Sequence, residues 1–442
     1  MCGILALCGP SWELSAARRG IEIQAHRGPD AQGLWSDPRG RCHLGHDRLS
    51  IIDLSDAGRQ PMSDASRRWW IVFNGEIYNY VELRRELEAH WDFRTKTDTE
   101  VLLAAMVHWG PAGLDRLIGM FAFAVWDTVE GTLFAARDRF GVKPLYSHAL
   151  ATGEIALASE IKALHAVGVP REPDEIAWAT YFVTGMYDHG PRTFWRAIEA
   201  VPAGGWLTWS AEAGTRVGTW YDPARSALAH GIDGRNDGEV AEELLWLLGD
   251  SIRLRLRADV PIGICLSGGL DSSLLLSLVR RQLGERCNLA TFTFVTGDPA
   301  YDETPWVLAM LEATEHPAHF CELRAEQVPD LADRVAWYQD EPFGGFPTLG
   351  MAAVHQSASR HGIVVLLDGN GLDEAWAGYD YYARAETVDP TRGPVQGARS
   401  GSTRADCLRP EFAALCEDVS LSRPFSDPLA DLQVRDLRQA KI

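Results

Sequence analysis

The pattern of apolar residues changes near the middle of the chain, and this change constrains the fold more than any other feature. Up to about residue 210 the apolar residues form short strand-type runs separated by turn residues. From residue 239 onward, strand-type runs alternate with helix-type stretches. The chain of 442 residues also exceeds the size of a single hydrophobic core. The sequence therefore predicts two domains of different architecture, residues 1–212 and residues 235–442.

The strand-type runs of the first domain predict a layered α/β structure built on antiparallel sheets. The runs lie at 3–7, 43–52, 69–74, 121–127, 132–137 and 206–209. Two helix patterns interrupt them, one at 80–89 with Leu83 and Leu87 at helical spacing, and one at 98–109 with an acidic first turn. Small and turn-forming residues over 210–238 predict a linker.

The second domain shows an alternation of helices and strands. Its helix patterns cover 239–257 and 272–283, and its buried-type strands cover 260–266, 289–295 and 362–367. Such an alternation predicts a doubly wound parallel sheet with right-handed crossover connections.

Composition and charge exclude several classes of function. A formal net charge of −19 argues against nucleic acid as a partner, because that role needs a clustered Lys/Arg face. The chain has no apolar run of about eighteen residues and no basic leader, so we expect neither a membrane anchor nor a signal peptide. The eight cysteines form no CxxC pair, which favours a reducing, cytoplasmic compartment.

Cys2 is a candidate nucleophile because of its place in the chain. It follows the initiator methionine and precedes Gly3, and a small second residue permits removal of the methionine. The exposed α-amine, with an ordinary pKa of roughly 7.7–8.0, could then take the thiol proton without help from a histidine. Position alone leaves open the alternative of a small, buried structural cysteine.

Five segments of the first 210 residues resemble, in register, the glutamine-hydrolysing domain of the asparagine synthetase family. They are MCGI at 1–4, HRGPD at 26–30, HDRLSI at 46–51, FNGEIYN at 73–79 and KTDTEV at 96–101. The resemblance implies an αββα N-terminal-nucleophile hydrolase fold and hydrolysis of glutamine at Cys2. It also implies that Asn74 and Gly75 supply the donors that stabilise the oxyanion.

The same resemblance implies a set of glutamine-binding residues whose chemistry suits a free amino acid. The arginine fork of Arg48 is expected to bind the α-carboxylate, and Glu76 with Asp98 the α-ammonium group. The full expected set is Arg48, Leu49, Ser50, Ile51, Ile52, Asn74, Gly75, Glu76 and Asp98. Without the resemblance, Arg48 could equally be a surface arginine and Asp98 a helix N-cap.

A second motif, CLSGGLDSS at 265–273, lies where a predicted buried strand turns into a helix. The glycines and first-turn N–H groups of such a turn form an anion cradle. No lysine follows, so the motif differs from the phosphoryl-transfer loop and resembles the SGGxDS loop of ATP pyrophosphatases. The resemblance implies cleavage of ATP to AMP and pyrophosphate, with ATP contacts from Leu266, Ser267, Gly268, Gly269, Asp271, Ser272, Phe294, Asp368 and Gly369.

Magnesium is the metal expected beside the leaving pyrophosphate, because it prefers oxygen ligands. Asp271 is the first expected ligand. The second is Asp373, in the segment LLDGNGLDEAWAGY at 366–379, which resembles a later family motif. Asp302 with Glu303, and the segment 340–348, also resemble the family but receive no chemical role.

Together the two motifs imply a glutamine-hydrolysing asparagine synthase, or another amide ligase of this family. Ammonia from glutamine would cross an apolar tunnel and attack an acyl-adenylate made from ATP and an acid, which is aspartate in asparagine synthetase. The expected assembly is a homodimer.

Two departures from the family pattern bear on the acid and on the second domain. Position 370 is Asn where classical members carry Glu. The sequence also stops where members continue into a helical region with a catalytic lysine, for which Lys441 is no credible substitute. We therefore expect either a fragment of a longer gene product or an impaired synthetase half. In both cases the second domain is truncated, and exposed apolar surface would lower solubility or bind a partner chain.

Other functions stay open at this point. The shortened second domain favours a glutaminase whose nucleotide-binding half is impaired or regulatory, whereas the intact loop favours the ligase. An amidotransferase of natural-product or cell-surface sugar biosynthesis would share both motifs. A sugar-isomerising or phosphoribosyl amidotransferase would share only the first 210 residues, and the SGGLDSS segment argues against both.

Overall fold

A computed structural model of the chain describes residues 1–185, 187, 190–230, 233–284, 289–376 and 407–416. These residues form two compact units, one of residues 1–230 with 407–416 and the other of residues 233–376. Lys441 and the end of the 366–379 motif lie outside the described residues. Within the described ranges, none of the helices is both long and apolar enough to cross a bilayer.

The first unit contains two antiparallel sheets of six strands each. Its strands are β1 (Gly3–Cys8), β2 (Ala31–Ser36), β3 (Cys42–Arg48), β4 (Met62–Ser63), β5 (Trp69–Ile77), β6 (Gly119–Asp127), β7 (Thr132–Arg137), β8 (Tyr146–Ala149), β9 (Ile155–Ala158), β10 (Glu199–Ala200), β11 (Gly205–Ser210) and β12 (Gly214–Thr219). Its first six helices are α1 (Leu14–Glu22), α2 (Tyr80–Leu87), α3 (Asp98–Trp109), α4 (Ile161–Val167), α5 (Glu175–Thr184) and α6 (Pro223–His230). The strand orders are β10-β8-β9-β1-β3-β2 and β12-β11-β7-β6-β5-β4.

Three apolar cores separate the layers of this unit. Because side chains alternate along a strand, Ile4 of β1 packs between the two sheets with Val72, while Leu7 points to the opposite face. That opposite face is covered by α1 and α4, which contribute residues such as Leu164. Helices α2 and α3 cover the outer face of the second sheet over a core that includes Phe123. The layers follow the order α, β, β, α, as the sequence predicted.

The second unit is a parallel sheet of four strands with helices on both faces. Its strands are β13 (Ile262–Cys265), β14 (Ala290–Val295), β15 (Ala318–Glu322) and β16 (Val365–Leu367), in the order β15-β14-β13-β16. Its helices are α7 (Asp237–Arg255), α8 (Leu270–Leu283), α9 (Thr304–Thr314), α10 (Val328–Gln339), α11 (Phe346–Arg360) and α12 (Leu372–Trp376). Helices α7, α8 and α9 pack around Ile264 on one face, and α11 packs over Phe292 on the other. The doubly wound arrangement is confirmed.

The structure corrects the predicted linker and one predicted strand. Residues 214–219 form β12, which pairs with β11, and residues 223–230 form α6. Gly214, with φ of +66°, makes the tight turn that returns the chain onto β11, so strand pairing outweighed the loop-like composition. The predicted strand 43–52 ends at Arg48, where the chain leaves the sheet as a loop.

Several short elements escaped prediction, among them β15 and the small strands at the sheet edges. One further helix, α13 (Pro410–Ala413), belongs to the first unit and packs against α5. The rings of Phe412 and Phe182 lie 6.4 Å apart there, between centroids. This contact therefore joins residues that lie far apart in the sequence.

Candidate functional site

Cys2 lies directly before β1, with its thiol against the loop that follows β3. The backbone N–H of Leu49 donates to the Cys2 sulfur at 3.4 Å, and the Leu49 carbonyl oxygen lies 3.6 Å from the same sulfur. Burial raises the pKa of the Cys2 thiol, whereas the Leu49 N–H, the amino terminus, Lys143 and Arg27 lower it. Burial has the largest effect, so the pKa of the thiol is raised above its ordinary value.

The amino terminus is surrounded by the same charged groups. Burial lowers the pKa of the Met1 amine to about 5, although Cys2 and Glu76 act in the opposite direction. Arg27 and Lys143 lower it further. The Met1 side chain itself is exposed, so it is the amine that lies among these charged groups.

A buried ion cluster fixes the main chain of Cys2. Arg27 Nε donates to the Cys2 carbonyl oxygen at 2.8 Å, and Arg27 Nη1 donates to Glu160 at 2.9 Å. Glu160 also binds His26 at 2.9 Å and Lys162 at 2.7 Å. Burial raises the pKa of Glu160, but the hydrogen bond from His26 and the charges of Arg27 and Lys162 outweigh it and lower the pKa to about 2. The HRGPD segment thus has a positioning role that sequence reasoning did not specify.

Asn74 lies in β5 and is fully buried, yet neither atom of its side-chain amide has a hydrogen-bond partner within the described residues. An unpaired buried polar group costs about 1–3 kcal/mol, so such a group points to something that binds there. The next residue, Gly75, has to be glycine because a Cβ would lie 2.2 Å from the Met120 carbonyl oxygen on β6. An amide side chain beside a close backbone N–H is the arrangement that stabilises an oxyanion.

Strand β3 connects the strand that contains Asn74 with the strand that begins just after Cys2. In the β1–β3 ladder, Gly3 pairs with Asp47 and Ile4 pairs with His46. His46 Nε2 lies 3.0 Å from the carbonyl oxygen of Phe73, which precedes Asn74. His46 of β3 therefore links the residue that precedes Asn74 to Ile4, two residues after Cys2.

Arg48 is 6% exposed at the end of β3, so it is not a surface arginine. Its guanidinium donates to the Ser55 carbonyl oxygen at 2.7 Å and also to that of Asp53. A Cβ at Gly58 would lie 2.0 Å from Arg48 Nη2, so the loop packs closely against the guanidinium. Carbonyl groups of the loop at 53–55 therefore hold the guanidinium that is expected to bind a carboxylate.

Residues 49–52 form the first part of that loop. The backbone N–H of Ser50 donates to Asp30 at 2.7 Å, which ties this loop to the HRGPD segment. Ile51 is half-buried and Ile52 is buried. With the contact of Leu49 to Cys2, the loop forms one wall beside the thiol.

Glu76 and Asp98, each 4% exposed, both lie near the end of β5. Asp98 accepts from the backbone N–H of Ile77 at 2.9 Å and from the Thr97 hydroxyl at 3.2 Å. The N-cap of α3 is Thr97, so the N-cap alternative for Asp98 is wrong. Burial raises the pKa of Asp98 to about 6. Two buried acids here suit an ammonium ligand.

Lys143 is a buried cation near this centre that sequence reasoning missed. It is 7% exposed; burial lowers its pKa, while Glu76, Cys2 and Asp138 oppose that effect. Asp138 organises the turn at 138–143 by accepting backbone N–H groups, those of Phe121, Phe140, Val142 and Lys143. The signal in the sequence was the DRFGVK segment, in which a lysine follows an Asp- and Gly-containing turn.

The loop between β13 and α8 is held by its own serines. The backbone N–H of Ser267 donates to Ser272 Oγ at 3.1 Å, and the two hydroxyl oxygens lie 3.0 Å apart. The N-cap residue of α8 is Gly269, which has no side chain to cap the first turn, while its own N–H donates to Ser267 Oγ at 3.2 Å. Such a helix start is suited to an anion.

The strand order places this loop at the carboxyl edge of the sheet, beside β13, where ligands of open parallel sheets bind. Leu266 is buried below it, and Phe294 of β14 packs against Gly350. After β16, a Cβ at Gly369 would lie 3.1 Å from Asp271 Cβ. Asp368 accepts from the Asn370 N–H at 3.1 Å in the same turn. The predicted ATP residues therefore surround one edge of the sheet.

Asp271 stands in the first turn of α8 and Asp373 in α12. The close approach of Gly369 brings the turn before Asp373 next to Asp271. One or two carboxylates with nucleotide phosphates are a common ligand set for Mg²⁺, so these two residues fit the metal. In the described part of the chain, no three His, Cys, Asp or Glu side chains gather into a metal-binding group. The pair stays a prediction.

Comparison with known proteins identifies both halves of the chain. Residues 1–221 match a family model described as a glutamine amidotransferase domain, and residues 243–438 match one described as asparagine synthase. The first match includes Cys2, and the second includes the loop at 265–273.

Curated relatives match most of the chain. A provisionally named asparagine synthetase [glutamine-hydrolyzing] of Mycobacterium tuberculosis is 36% identical, over 88% of this chain and 62% of the relative. Asparagine synthetase [glutamine-hydrolyzing] 1 of Bacillus subtilis is 31% identical, over 88% of this chain and 60% of the relative. The chain thus spans about three fifths of the length of these two proteins.

A third relative is matched over more of its own length. It is the provisionally named asparagine synthetase [glutamine-hydrolyzing] 2 of Methanocaldococcus jannaschii, 32% identical over 82% of this chain and 72% of the relative. Both domain matches and these identities agree with the motifs and with the geometry around Cys2. The chain therefore belongs to the glutamine-hydrolysing asparagine synthetase family.

Proposed function

We propose that this chain is a glutamine-dependent amide ligase, in which the first unit releases ammonia from glutamine and the second activates a carboxylic acid with ATP. The observation that carries the proposal is the fully buried, unpaired amide of Asn74, on a strand that β3 links to the strand beginning just after Cys2. The second half of the reaction is supported by family membership and by the loop at 265–273 between β13 and α8, which we call the nucleotide loop.

In the first half-reaction, removal of Met1 leaves the α-amine of Cys2 as the base. The thiolate attacks the side-chain amide carbon of glutamine, and the resulting oxyanion accepts hydrogen bonds from Asn74 Nδ2 and the Gly75 N–H. The tetrahedral intermediate expels ammonia, which takes its proton from the α-ammonium, and leaves a glutamyl thioester. Water then cleaves the thioester, giving glutamate and the free thiol. Arg48, Asp98 and Glu76 hold the amino-acid end of glutamine.

In the second half-reaction, a carboxylate oxygen attacks the α-phosphorus of ATP and pyrophosphate leaves. The backbone N–H of Gly268, together with the first-turn N–H groups of α8, would hold the phosphates of the leaving group. Magnesium held by Asp271 and Asp373 would neutralise negative charge on the pyrophosphate. Ammonia then attacks the acyl carbon, which forms the amide and releases AMP.

Aspartate is the acid we propose, with asparagine as the product, on the strength of family membership. Asn370 is neutral where classical members carry Glu, so related acids belong in any substrate test. A cytoplasmic location is supported by the free thiols of all seven described cysteines. A homodimer also remains part of the proposal, and sedimentation of the full chain tests it.

The test is a pyrophosphate-release assay with glutamine, ATP, magnesium and a panel of acids that includes aspartate. Cys2→Ala should lower glutamine-dependent turnover by roughly a thousandfold or more, since the nucleophile is lost. Ammonium should restore pyrophosphate release in the same variant. If glutamate forms but no acid elicits pyrophosphate release, the ligase proposal is wrong, and a glutaminase with a regulatory second unit is favoured. Retention of Met1 in the intact mass would contradict the role of the α-amine.

A further inference from the structure

The nucleotide loop has an internal anionic partner. The backbone N–H of Gly268, in the centre of the loop, donates to the Glu303 carboxylate at 3.0 Å. Glu303 directly precedes α9 and belongs to the family-like Asp302–Glu303 pair, to which the sequence assigned no role. The contact joins a possible phosphate ligand to a negatively charged side chain.

The position of Glu303 is set by the packing of the loop on the start of α9. The Glu303 carbonyl oxygen accepts from the N–H groups of Trp306 and Val307, each at 3.1 Å, which fixes its main chain. A Cβ at Gly268 would lie 2.8 Å from Glu303 Cβ and 3.2 Å from the Glu303 carbonyl oxygen. Only glycine allows this approach, and the approach brings the carboxylate within reach of the Gly268 N–H.

The side chain of Glu303 is not used to cap its own helix. Although Glu303 is the N-cap residue of α9, its side chain makes no cap hydrogen bond. The neighbouring Asp302 accepts from the Thr304 N–H at 3.0 Å instead. Two adjacent carboxylates thus have different partners, since one binds the helix start and the other binds the nucleotide loop.

A backbone N–H cannot give a full hydrogen bond to a carboxylate and to a phosphate oxygen at once, and the two anions also repel each other. We infer that Glu303 is an intramolecular competitor of the nucleotide phosphates for the Gly268 N–H, and that it thereby sets the affinity of the second unit for ATP. This inference rests on the proposed role of the loop in binding ATP. It makes Glu303 an affinity-determining residue that opposes binding rather than a ligand.

The competition predicts that loss of the carboxylate strengthens phosphate binding. Dissociation constants for ATP, inorganic pyrophosphate and adenosine are measured by calorimetry on the full chain with magnesium. Glu303→Ala should bind ATP and pyrophosphate about fivefold to tenfold more tightly, because one charge-assisted hydrogen bond no longer has to be displaced. Glu303→Gln should show a smaller gain, since its amide oxygen still accepts. Adenosine affinity should not change, because adenosine carries no phosphate.

Asp302→Asn is the matched control, since it removes one neighbouring charge without touching the loop. Equal gains in Asp302→Asn and Glu303→Ala would overturn the specific competition. Unchanged or weaker ATP binding in both Glu303 variants would also overturn it, and weaker binding would indicate a metal ligand. If Glu303→Ala lowers the melting temperature, the ATP affinity of Glu303→Gln becomes the test of the competition, because glutamine preserves the side-chain volume. A wild-type chain that binds neither ATP nor pyrophosphate would overturn the proposed function itself, and this inference with it.

Discussion

The Cys2 site and the nucleotide loop are built from different kinds of structure. Beside Cys2, the exposed fractions of Arg48, Asn74 and Asp98 are 6%, 0% and 4%, and strands or a helix start hold each of them. In the nucleotide loop, Ser267 is exposed and Gly268 is half-buried. The first site therefore places its polar groups before the ligand arrives, at the cost of burying them. The second relies on backbone N–H groups at a sheet edge that solvent still reaches.

The two sites also differ in whether their polar groups have partners before a ligand binds. The unpaired amide of Asn74 and the raised pKa of Asp98 both show that the first site holds polar groups in a state that a ligand would relieve. The second site satisfies its own groups, through Ser272 and through Glu303. Substitutions should therefore affect function strongly in the first site and moderately in the second.

The strongest test of this comparison is to replace each of two buried asparagines of the first unit by alanine. Asn74→Ala should lower the kcat of glutamine hydrolysis by about 10²–10³-fold, as loss of an oxyanion donor does. Its melting temperature should stay equal or rise, because the lost amide has no partner in the folded chain. Glutamate formation and thermal unfolding of the same samples measure both effects.

The matched control is Asn79→Ala, at the other end of the same segment. The Asn79 amide donates to the Arg116 carbonyl oxygen and accepts from the Ile118 N–H, each at 2.9 Å. Its loss should lower stability by about 1–3 kcal/mol and leave kcat unchanged. If both variants lose stability and neither loses activity, Asn74 is structural and the comparison fails.

A second prediction concerns the pH dependence of glutamine binding. Burial raises the pKa of Asp98 to about 6, so the carboxylate that would bind the α-ammonium becomes protonated as pH falls through that value. The dissociation constant should be flat above about pH 7 and about tenfold higher at pH 5, because roughly one tenth of the carboxylate is then ionised. Calorimetry on Cys2→Ala separates binding from chemistry. Asp98→Asn should bind weakly at every pH; an unchanged pH profile in this variant would exclude Asp98 as the titrating group.

The smallest expected effect tests how the nucleotide loop is held. Ser272→Ala removes the hydroxyl that accepts from the Ser267 N–H and should weaken ATP binding about fivefold, the equivalent of a hydrogen bond of about 1 kcal/mol. Ser273→Ala is the control, because that hydroxyl only donates to the Gly269 carbonyl oxygen of its own helix. Glutaminase activity should be unchanged in both. Equal losses in the two variants would show that the loop does not depend on Ser272.

Much of the fold could be predicted because periodicity reports local structure. The limits of the strand at 132–137 and of the helix at 98–109 agree with the structure, since alternation and an acidic first turn are local signals. β12 and β15 were missed, because β12 resembles a loop in composition and both depend on pairing with neighbouring strands. The strand predicted at 43–52 ends early for the same reason, since its pairing with β1 stops at Asp47 and its pairing with β2 stops at Arg48.

The sequence by itself determined which segments form the two predicted sites, because the HDRLSI, FNGE and SGGLDSS segments carry residue types whose order matches the family motifs. Only the tertiary structure decided that Asn74 is buried without a partner, that Lys143 lies near Cys2, and that Glu303 binds the Gly268 N–H. These features depend on how layers and loops pack against each other. Burial and long-range hydrogen bonds join residues distant along the chain, and local patterns carry no record of such distances.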